Sequence, residues 1–228
     1  MRIQRSLFLT VVAIGIAMAL APAPLRAATC NGVTCSWAGT SGADQHFGGS
    51  GADVLCGLGG NDLLQGNGGN DLICGGDGAD DLRGGSGNDT FYGDAGADVF
   101  SGDGGNDVEY GGSSNDEMHG GAGDDHLFGE GGADQLFGEG DDDELRGGIG
   151  NDDLYGGNDP DALFGEDGND NLFGELQNDL LDGGTGTDYL DGGPGIDVCF
   201  NGEIYVSCNE CDTECDIYCH NWPWPCPI

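Results

Sequence analysis

Residues 48–56 read GGSGADVLC, and the same nine-residue pattern of glycine, aspartate and apolar residues recurs on both sides of this stretch. Counted from Gly39, the chain divides into eighteen consecutive blocks of nine that end at Phe200, with no insertion or deletion. The first position is Gly in every block. The fourth is Gly in fourteen blocks, and the exceptions are Ser114, Asp141, Asp159 and Gln177.

The sixth position of the block is aspartate in all eighteen copies. An acidic linker without a defined structure would not keep this phase, so the repeat indicates a regular stacked architecture. The residues are Asp44, Asp53, Asp62, Asp71, Asp80, Asp89, Asp98, Asp107, Asp116, Asp125, Asp134, Asp143, Asp152, Asp161, Asp170, Asp179, Asp188 and Asp197.

The eighth position is apolar in sixteen blocks, and the two departures are His46 and Glu109. A period of nine fits neither a helical face nor a single alternating strand, so each block is predicted to form a turn followed by a three-residue strand. The eighth side chain then points opposite to its neighbours and contributes to a thin core. Glycines one and four suit a backbone with positive φ or a close approach. Since an unpaired buried charge is costly, we expect the structure either to open locally at Glu109 or to turn this side chain outward.

The pattern in residues 48–56 resembles the calcium-binding nonapeptide of the repeats-in-toxin (RTX) family, and the resemblance covers residues 39–200. It implies an all-β fold, a right-handed parallel β-roll in which two blocks make one circuit and two sheets stack. The residues outside the repeat are expected to form a signal peptide (1–28) and an N-terminal cap (29–38) before the roll (39–200), and a small disulfide-rich C-terminal cap (201–228) after it.

The resemblance also implies calcium in the turns, bound by hard oxygen ligands shared between blocks i and i+2. The expected ligands are the eighteen sixth-position carboxylates and backbone carbonyls of the glycine-rich turns. At most about sixteen ions fit this stacking rule, and the carbonyl-rich turns favour calcium over magnesium. The sites should weaken where the fourth glycine is lost, most of all at Gln177. The expected carbonyl donors are Gly48, Gly57, Gly66, Gly75, Gly84 and Gly93.

Charge restricts the partners of this chain. It has five Lys and Arg against 42 Asp and Glu, a formal net charge of −37, which excludes nucleic acid and favours small multivalent cations. One inward side chain per nine residues gives too little core to offset the entropy of ordering the roll. We therefore expect the roll to be disordered without calcium and to fold on binding it.

The first 28 residues have the order of a secretory signal peptide: Arg2 and Arg5, an apolar run from Leu7 to Leu20, then small residues. The run is short for a membrane-spanning helix, so no membrane span is expected. Lipidation of Cys30 is the alternative, although Thr29 fits such a signal badly. The chain is therefore expected to be secreted, either extracellular or held at the cell surface.

Ten cysteines in an exported chain indicate disulfides. Cys56 and Cys74 hold the ninth position one circuit apart, so the roll predicts a bridge between them. Bridges between Cys199 and Cys208 and between Cys30 and Cys35 are also expected. A zinc site remains open as an alternative at Cys208, Cys211, Cys215 and Cys219.

Ninth-position aromatics should stack into outward ladders on both sheet faces. A binding strip for a sugar or a partner is the functional alternative. The histidines show no metal spacing and are expected at the surface or the ends, and Trp222 and Trp224 form either part of the cap or a binding knob. The ladder residues are Tyr92, Tyr110 and Phe128, with Arg146 and Phe164 following, and Phe137, Tyr155 and Phe173 on the other face.

No His-Glu-x-x-His or Gly-x-Ser-x-Gly motif occurs, so no enzyme activity is expected. The predicted function is a secreted, non-catalytic calcium-binding protein with a structural, adhesive or ion-buffering role. The alternatives are an accessory module of an extracellular enzyme and a glycan-binding adhesin, with a cell-surface glycan or protein as partner. An ice-binding surface is disfavoured, because the third position carries a single threonine, Thr185.

Overall fold

The protein is described by a computed structural model that covers residues 28–202, 204–208 and 210–211. These residues form an all-β parallel solenoid with two sheets, as predicted, and the described part contains no helix. Accordingly, no helix in it is long and apolar enough to cross a membrane. The expected signal peptide, apart from Ala28, lies outside the described residues, as do Cys215, Cys219, His220, Trp222, Trp224 and Cys226.

The strands alternate between the two sheets, so consecutive blocks lie on opposite sheets. A short antiparallel pair, β1 (Thr29–Cys30) and β2 (Val33–Thr34), precedes them. The 12-stranded sheet contains β3 (Trp37–Ala38), β5 (Val54–Gly59), β7 (Leu72–Asp77), β9 (Thr90–Ala95), β11 (Val108–Ser113), β13 (His126–Gly131), β15 (Glu144–Ile149), β17 (Ala162–Gly168), β19 (Leu180–Asp182), β20 (Thr185–Gly186), β22 (Val198–Phe200) and β24 (Glu210–Cys211). The ten-stranded sheet contains β4 (Gln45–Phe47), β6 (Leu63–Gly68), β8 (Asp81–Ser86), β10 (Val99–Gly104), β12 (Glu117–Ala122), β14 (Gln135–Gly140), β16 (Asp153–Gly157), β18 (Asn171–Glu175), β21 (Tyr189–Asp191) and β23 (Ile204–Val206).

Within the roll each strand pairs in parallel with the strand two blocks away, at a register of 18 residues. Leu55 pairs with Ile73, for example, and Leu145 with Leu163. Most strands run for six residues rather than the predicted three. They continue through the first three positions of the next block, because those positions also stack in register with the neighbouring turn.

The eighth side chains form one continuous core between the sheets. All from Leu55 to Cys199 are fully buried. Glu109 occupies the same row with 0% exposure, next to Phe91 and Leu127 in the strand register. The expectation that the roll opens here or turns Glu109 outward is therefore wrong: the regular backbone carries the carboxyl into the core.

Both ends of the core are covered by residues outside the eighteen blocks. At the first end, Trp37 pairs with Leu55 in the register of an eighth position and stacks on His46 at 4.4 Å between ring centroids. At the other end, Tyr205 and Cys208 pack on the core, and Tyr205 lies opposite Leu190. Solenoid stacking thus continues beyond Phe200 with shorter circuits, where the nine-residue repeat has stopped.

The disulfides correct two of the three predicted pairings. Cys56 and Cys74 do lie side by side, but Cys56 bonds to Cys35 and Cys74 to Cys30. The predicted Cys56–Cys74 and Cys30–Cys35 bridges are wrong, because residues 29–35 fold back and bring two further sulfurs to this pair. Since Cys30 is in a disulfide, its lipidation is also excluded in this structure.

The predicted bridge between Cys199 and Cys208 is confirmed. It removes Cys208 from the zinc alternative, because the sulfur is engaged in the disulfide and is not free as a thiolate ligand.

The predicted aromatic ladders are present on the outer faces. Tyr92, Tyr110 and Phe128 are stacked with centroids 4.9 Å apart and nearly parallel planes. Arg146 follows in register and lies over the ring of Phe164. On the ten-stranded sheet, His119 begins the ladder formed by Phe137, Tyr155 and Phe173.

Candidate metal sites along the turns

The turns between strands have a repeating left-handed backbone at two positions. The fourth position has positive φ in most blocks, and its non-glycine residues keep it: φ is 92° at Ser114, 72° at Asp141 and Asp159, and 78° at Gln177. The turn conformation therefore survives the loss of glycine. That the calcium sites are weaker at these blocks stays a prediction.

The second position is also left-handed from the third block onward, which the sequence reasoning missed. Leu58 has φ 78°, Asn67 73° and Glu130 67°. Glycine at nine of the eighteen second positions was the available signal, since glycine tolerates this region best. In the first two blocks the second-position N–H of Thr40 and Gly49 instead donates to the carboxylate Oδ2 of Asp44 and Asp53, respectively.

The sixth-position aspartates form a column along each edge, and one carboxylate oxygen of each, from Asp62 onward, has a fixed structural partner. The backbone N–H of Asp107 donates to Oδ1 of Asp125 at 2.7 Å, and that of Asp125 donates to Oδ1 of Asp143 at 2.8 Å. The same bond joins each such aspartate to the block 18 residues before it. Each side chain is thereby held between two successive turns.

The other oxygen, Oδ2, is buried and accepts no hydrogen bond along most of this column. Burial of an unpartnered carboxylate oxygen costs free energy, which makes a row of them an uncompensated acceptor surface. These oxygens belong to Asp62, Asp71, Asp80, Asp89, Asp98, Asp107, Asp116, Asp125, Asp134, Asp143, Asp152, Asp161, Asp170, Asp179 and Asp197.

The first-position glycines let the backbone approach these oxygens closely. A Cβ on Gly129 would lie 2.5 Å from Oδ2 of Asp134 and 2.6 Å from the carbonyl oxygen of Gly147 in the next turn. At Gly48 the corresponding distances are 2.7 Å to Oδ2 of Asp53 and 2.6 Å to the carbonyl of Gly66. A side chain at these positions would therefore collide with a carboxylate and a carbonyl oxygen, and both are of the type that calcium binds.

The six predicted carbonyl donors do not all have the same surroundings in the structure. The carbonyl oxygens of Gly57, Gly66 and Gly84 lie close to the first-position glycine and the aspartate of the preceding turn on the same edge, and that of Gly75 lies likewise close to Gly57 and Asp62. The Gly48 carbonyl accepts a hydrogen bond from the Asn67 side chain at 2.8 Å. Gly93 itself approaches Oδ2 of Asp98 and the carbonyl of Gly111 in the same way.

Burial raises the pKa of the carboxyls in the middle of the column, from Asp80 to Asp179, into the neutral range. The pKa is raised to about 7 at Asp107 and Asp116 and to about 8 at Asp143, chiefly by desolvation. The backbone hydrogen bond opposes the shift, and neighbouring aspartates of the column add to it. In the absence of a cation the folded column therefore favours protons, which a metal would displace.

Fifth-position asparagines, present in eight of the eighteen blocks, give these turns a second connection that the sequence reasoning did not identify. Oδ1 of Asn151 accepts from the backbone N–H of Asn169 at 2.8 Å, and Oδ1 of Asn169 accepts from Thr187 at 3.0 Å. Frequent Asn before the sixth-position Asp was the signal. These asparagines stabilise the stacking of turns without adding charge.

The histidines that the structure describes lie at the surface or at an end, as expected. His119 contacts Glu117 and Glu139 through its two ring nitrogens, at 3.1 and 3.0 Å. Within the described part of the chain, no three or more His, Cys, Asp and Glu side chains are grouped to hold a metal.

A family model for the RTX calcium-binding nonapeptide repeat, in four copies, matches the chain repeatedly from residue 38 to residue 199. The overlapping matches are 38–73, 47–82, 74–109, 110–145, 129–163, 146–181 and 164–199. No curated protein matches the chain.

Proposed function

Because the chain belongs to the family of RTX calcium-binding nonapeptide repeats, we propose that its two edges bind a series of calcium ions between successive turns. The observation that carries this proposal is the column of buried Oδ2 atoms without partners, each close to a first-position glycine where a side chain would collide with it. The ligands of each ion are sixth-position carboxylates and turn carbonyls, with at most about sixteen ions along eighteen blocks.

Binding would also complete the fold. The core is one side chain wide, and the carboxylates between the turns repel one another in a chain of net charge −37. Divalent cations reduce this repulsion and give the orphaned oxygens a partner, so we propose that folding and calcium binding are coupled.

The proposed biological role is a secreted, non-catalytic structural or ion-buffering protein. Secretion is supported by the signal-like residues 1–28 and by the three disulfides. A glycan-binding strip is less well supported. The aromatic rings stack face to face at about 5 Å, so the faces that would pack against a sugar are covered by neighbouring rings.

The test combines calorimetry with far-ultraviolet circular dichroism on the exported chain, starting in chelator. We expect several ions to bind per chain, and the β signal to appear in the same calcium range. Magnesium at equal concentration should produce little signal, since it requires stricter octahedral geometry. Full β signal in excess chelator would refute the coupling, and a stoichiometry of one or none would refute the edge sites.

A further inference from the structure

A cavity of about 440 Å³ lies on the outer side of the ten-stranded sheet near the C-terminal end of the roll. It is lined by Tyr155 and Phe173 of the aromatic ladder, the carboxylates of Glu175 and Asp191, and an apolar wall of Leu176 and Pro194 together with Gly193. Its volume falls in the range of small-molecule sites. None of these residues belongs to the sixth-position column.

The aromatic ladder of this face ends at Phe173. Tyr155 covers one face of the Phe173 ring, with centroids 5.0 Å apart and planes 7° from parallel. On the other side the register partner is Asp191 rather than a ring, and Tyr189 meets Phe173 only at a tilt of 47°. The last ring of the ladder therefore has a carboxylate in register above it and a tilted, not a stacked, aromatic neighbour.

The tripeptide Phe-Gly-Glu, which contributes Phe173 and Glu175 to the cavity, also occurs at residues 164–166, where it contacts a guanidinium group. In Phe164-Gly165-Glu166, the guanidinium carbon of Arg146 lies 4.4 Å from the Phe164 ring centroid, and Nη1 donates to Glu166 at 3.2 Å. A ring face and a carboxylate at this spacing thus satisfy both the π-attraction and the hydrogen bonding of arginine.

Phe173-Gly174-Glu175 repeats this tripeptide on the opposite sheet without its cation. The place that Arg146 takes beside Phe164 is held by Tyr155 beside Phe173. Among the residues that the structure describes, no Arg or His forms a salt bridge with Glu175 or Asp191. Asp191 keeps its orientation through a hydrogen bond from the Gly193 N–H to Oδ1.

We propose that this cavity binds a guanidinium group, free in a small molecule or carried by an arginine of a partner protein. The planar cation packs beside the Phe173 ring, Glu175 and Asp191 accept its N–H groups, and Leu176 and Pro194 contact the apolar stem. The net charge of −37 attracts such a cation and repels anions.

The test is a titration of the calcium-loaded full chain with N-acetylarginine amide, followed by calorimetry and by the NMR signals of the Tyr155 and Phe173 rings. The neutral isostere N-acetylcitrulline amide should bind at least about tenfold more weakly, since it lacks the charge-assisted bonds. N-acetyllysine amide should also bind more weakly, because an ammonium lacks the planar fork.

Glu175→Gln should weaken arginine binding about fivefold, because one charged acceptor is lost at an exposed position. Glu130→Gln is the matched control. It removes the same charge from the same tripeptide, Phe128-Gly129-Glu130, away from the cavity, and should leave binding unchanged. Phe173→Leu should also weaken binding, and circular dichroism in calcium verifies that each variant is folded.

If a pentapeptide with a central arginine binds more tightly than N-acetylarginine amide, the source of the guanidinium is a partner protein. If the two bind equally, the source is a small molecule. Both results support the site. Equal losses in Glu175→Gln and Glu130→Gln would overturn it, because the effect would then be general surface charge. Equal affinity for lysine, or no binding of arginine in folded protein, would overturn it as well.

Discussion

Replacement of Glu109 by leucine should stabilise the roll. Both carboxyl oxygens of Glu109 lack a hydrogen-bond partner, and the side chain is completely buried in a row of apolar residues. Leaving such a group unsatisfied costs about 1–3 kcal/mol, and a buried leucine adds apolar contact at about 25 cal/mol per Å². We expect the free energy of unfolding to rise by about 2–4 kcal/mol in Glu109→Leu.

The pH dependence of this gain follows from the pKa of Glu109. Burial, and then the charges of Asp107, Asp125 and Glu139, raise this pKa well above its ordinary value. As pH rises above the ordinary carboxyl pKa, the unfolded chain ionises while the folded chain retains the proton, so stability is lost. The advantage of Glu109→Leu should therefore be smallest in acid and grow as pH rises towards the folded-state pKa.

The assay is urea denaturation at fixed free calcium, followed by circular dichroism at several pH values. Glu109→Gln is the matched control: it keeps the shape and the unsatisfied polar group but cannot ionise. Glu109→Gln should remove the loss of stability at rising pH, because the side chain cannot ionise, and should keep the cost of burying a polar group without a partner. If Glu109→Leu leaves stability unchanged or lowers it at every pH, the carboxyl is not an unpartnered group in the core and the reasoning fails.

Three further predictions concern the edge columns. Asp125→Asn should weaken one calcium site about tenfold, because a buried carboxylate ligand is lost. Asp124 is the exposed neighbouring residue, and Asp124→Asn should have little effect. Equal losses of calcium affinity in calorimetry would contradict a specific role for Asp125. Gly129→Ala should raise the calcium concentration needed for folding and cost about 1–3 kcal/mol, because the new Cβ would collide with Asp134 Oδ2 and a carbonyl oxygen. Gly131→Ala is the control and should have little effect, since the nearest atom to its Cβ lies at 3.7 Å. If the dichroism titration shows no change for Gly129→Ala, the close approach at the first position is not needed. The raised pKa values, about 6 at Asp125 and about 8 at Asp143, set the pH dependence of the metal-free protein. Stability is full in acid and is lost as pH rises from the ordinary carboxyl pKa to these raised values, because the unfolded chain ionises first. Metal-free protein should therefore show less β signal at pH 8 than at pH 5, and a larger signal at pH 8 would contradict the argument.

Most of the fold and of the candidate site could be predicted from the spacing of the repeat. One side chain in nine points inward, so the position of Glu109 in the core followed from the phase, and the error lay in assuming that the chain would avoid an unpaired carboxyl. The invariant Asp and first-position Gly indicated where oxygens gather. The left-handed second position was harder to recognise, because residues as different as Leu58 and Glu130 share it with glycine.

Contacts between distant segments were not available from spacing. The ninth-position Cys56 and Cys74 are neighbours, as the register required, yet each bonds to a cysteine of residues 29–35. Several sulfur pairs were close enough in principle, and the path of the N-terminal segment selected among them.

The sequence by itself therefore determined the turn and strand of each block, the inward row and the phase of the aspartates, because a strict period fixes which residues are equivalent. The resemblance to the RTX family implied the two sheets of the roll. Only the tertiary structure decided which oxygen of each aspartate is already bonded, how the ends are covered, which cysteines pair, and that the aromatic ladder stops beside a cavity with two carboxylates. These features depend on residues that meet across turns or at the ends of the repeat, where no period constrains them.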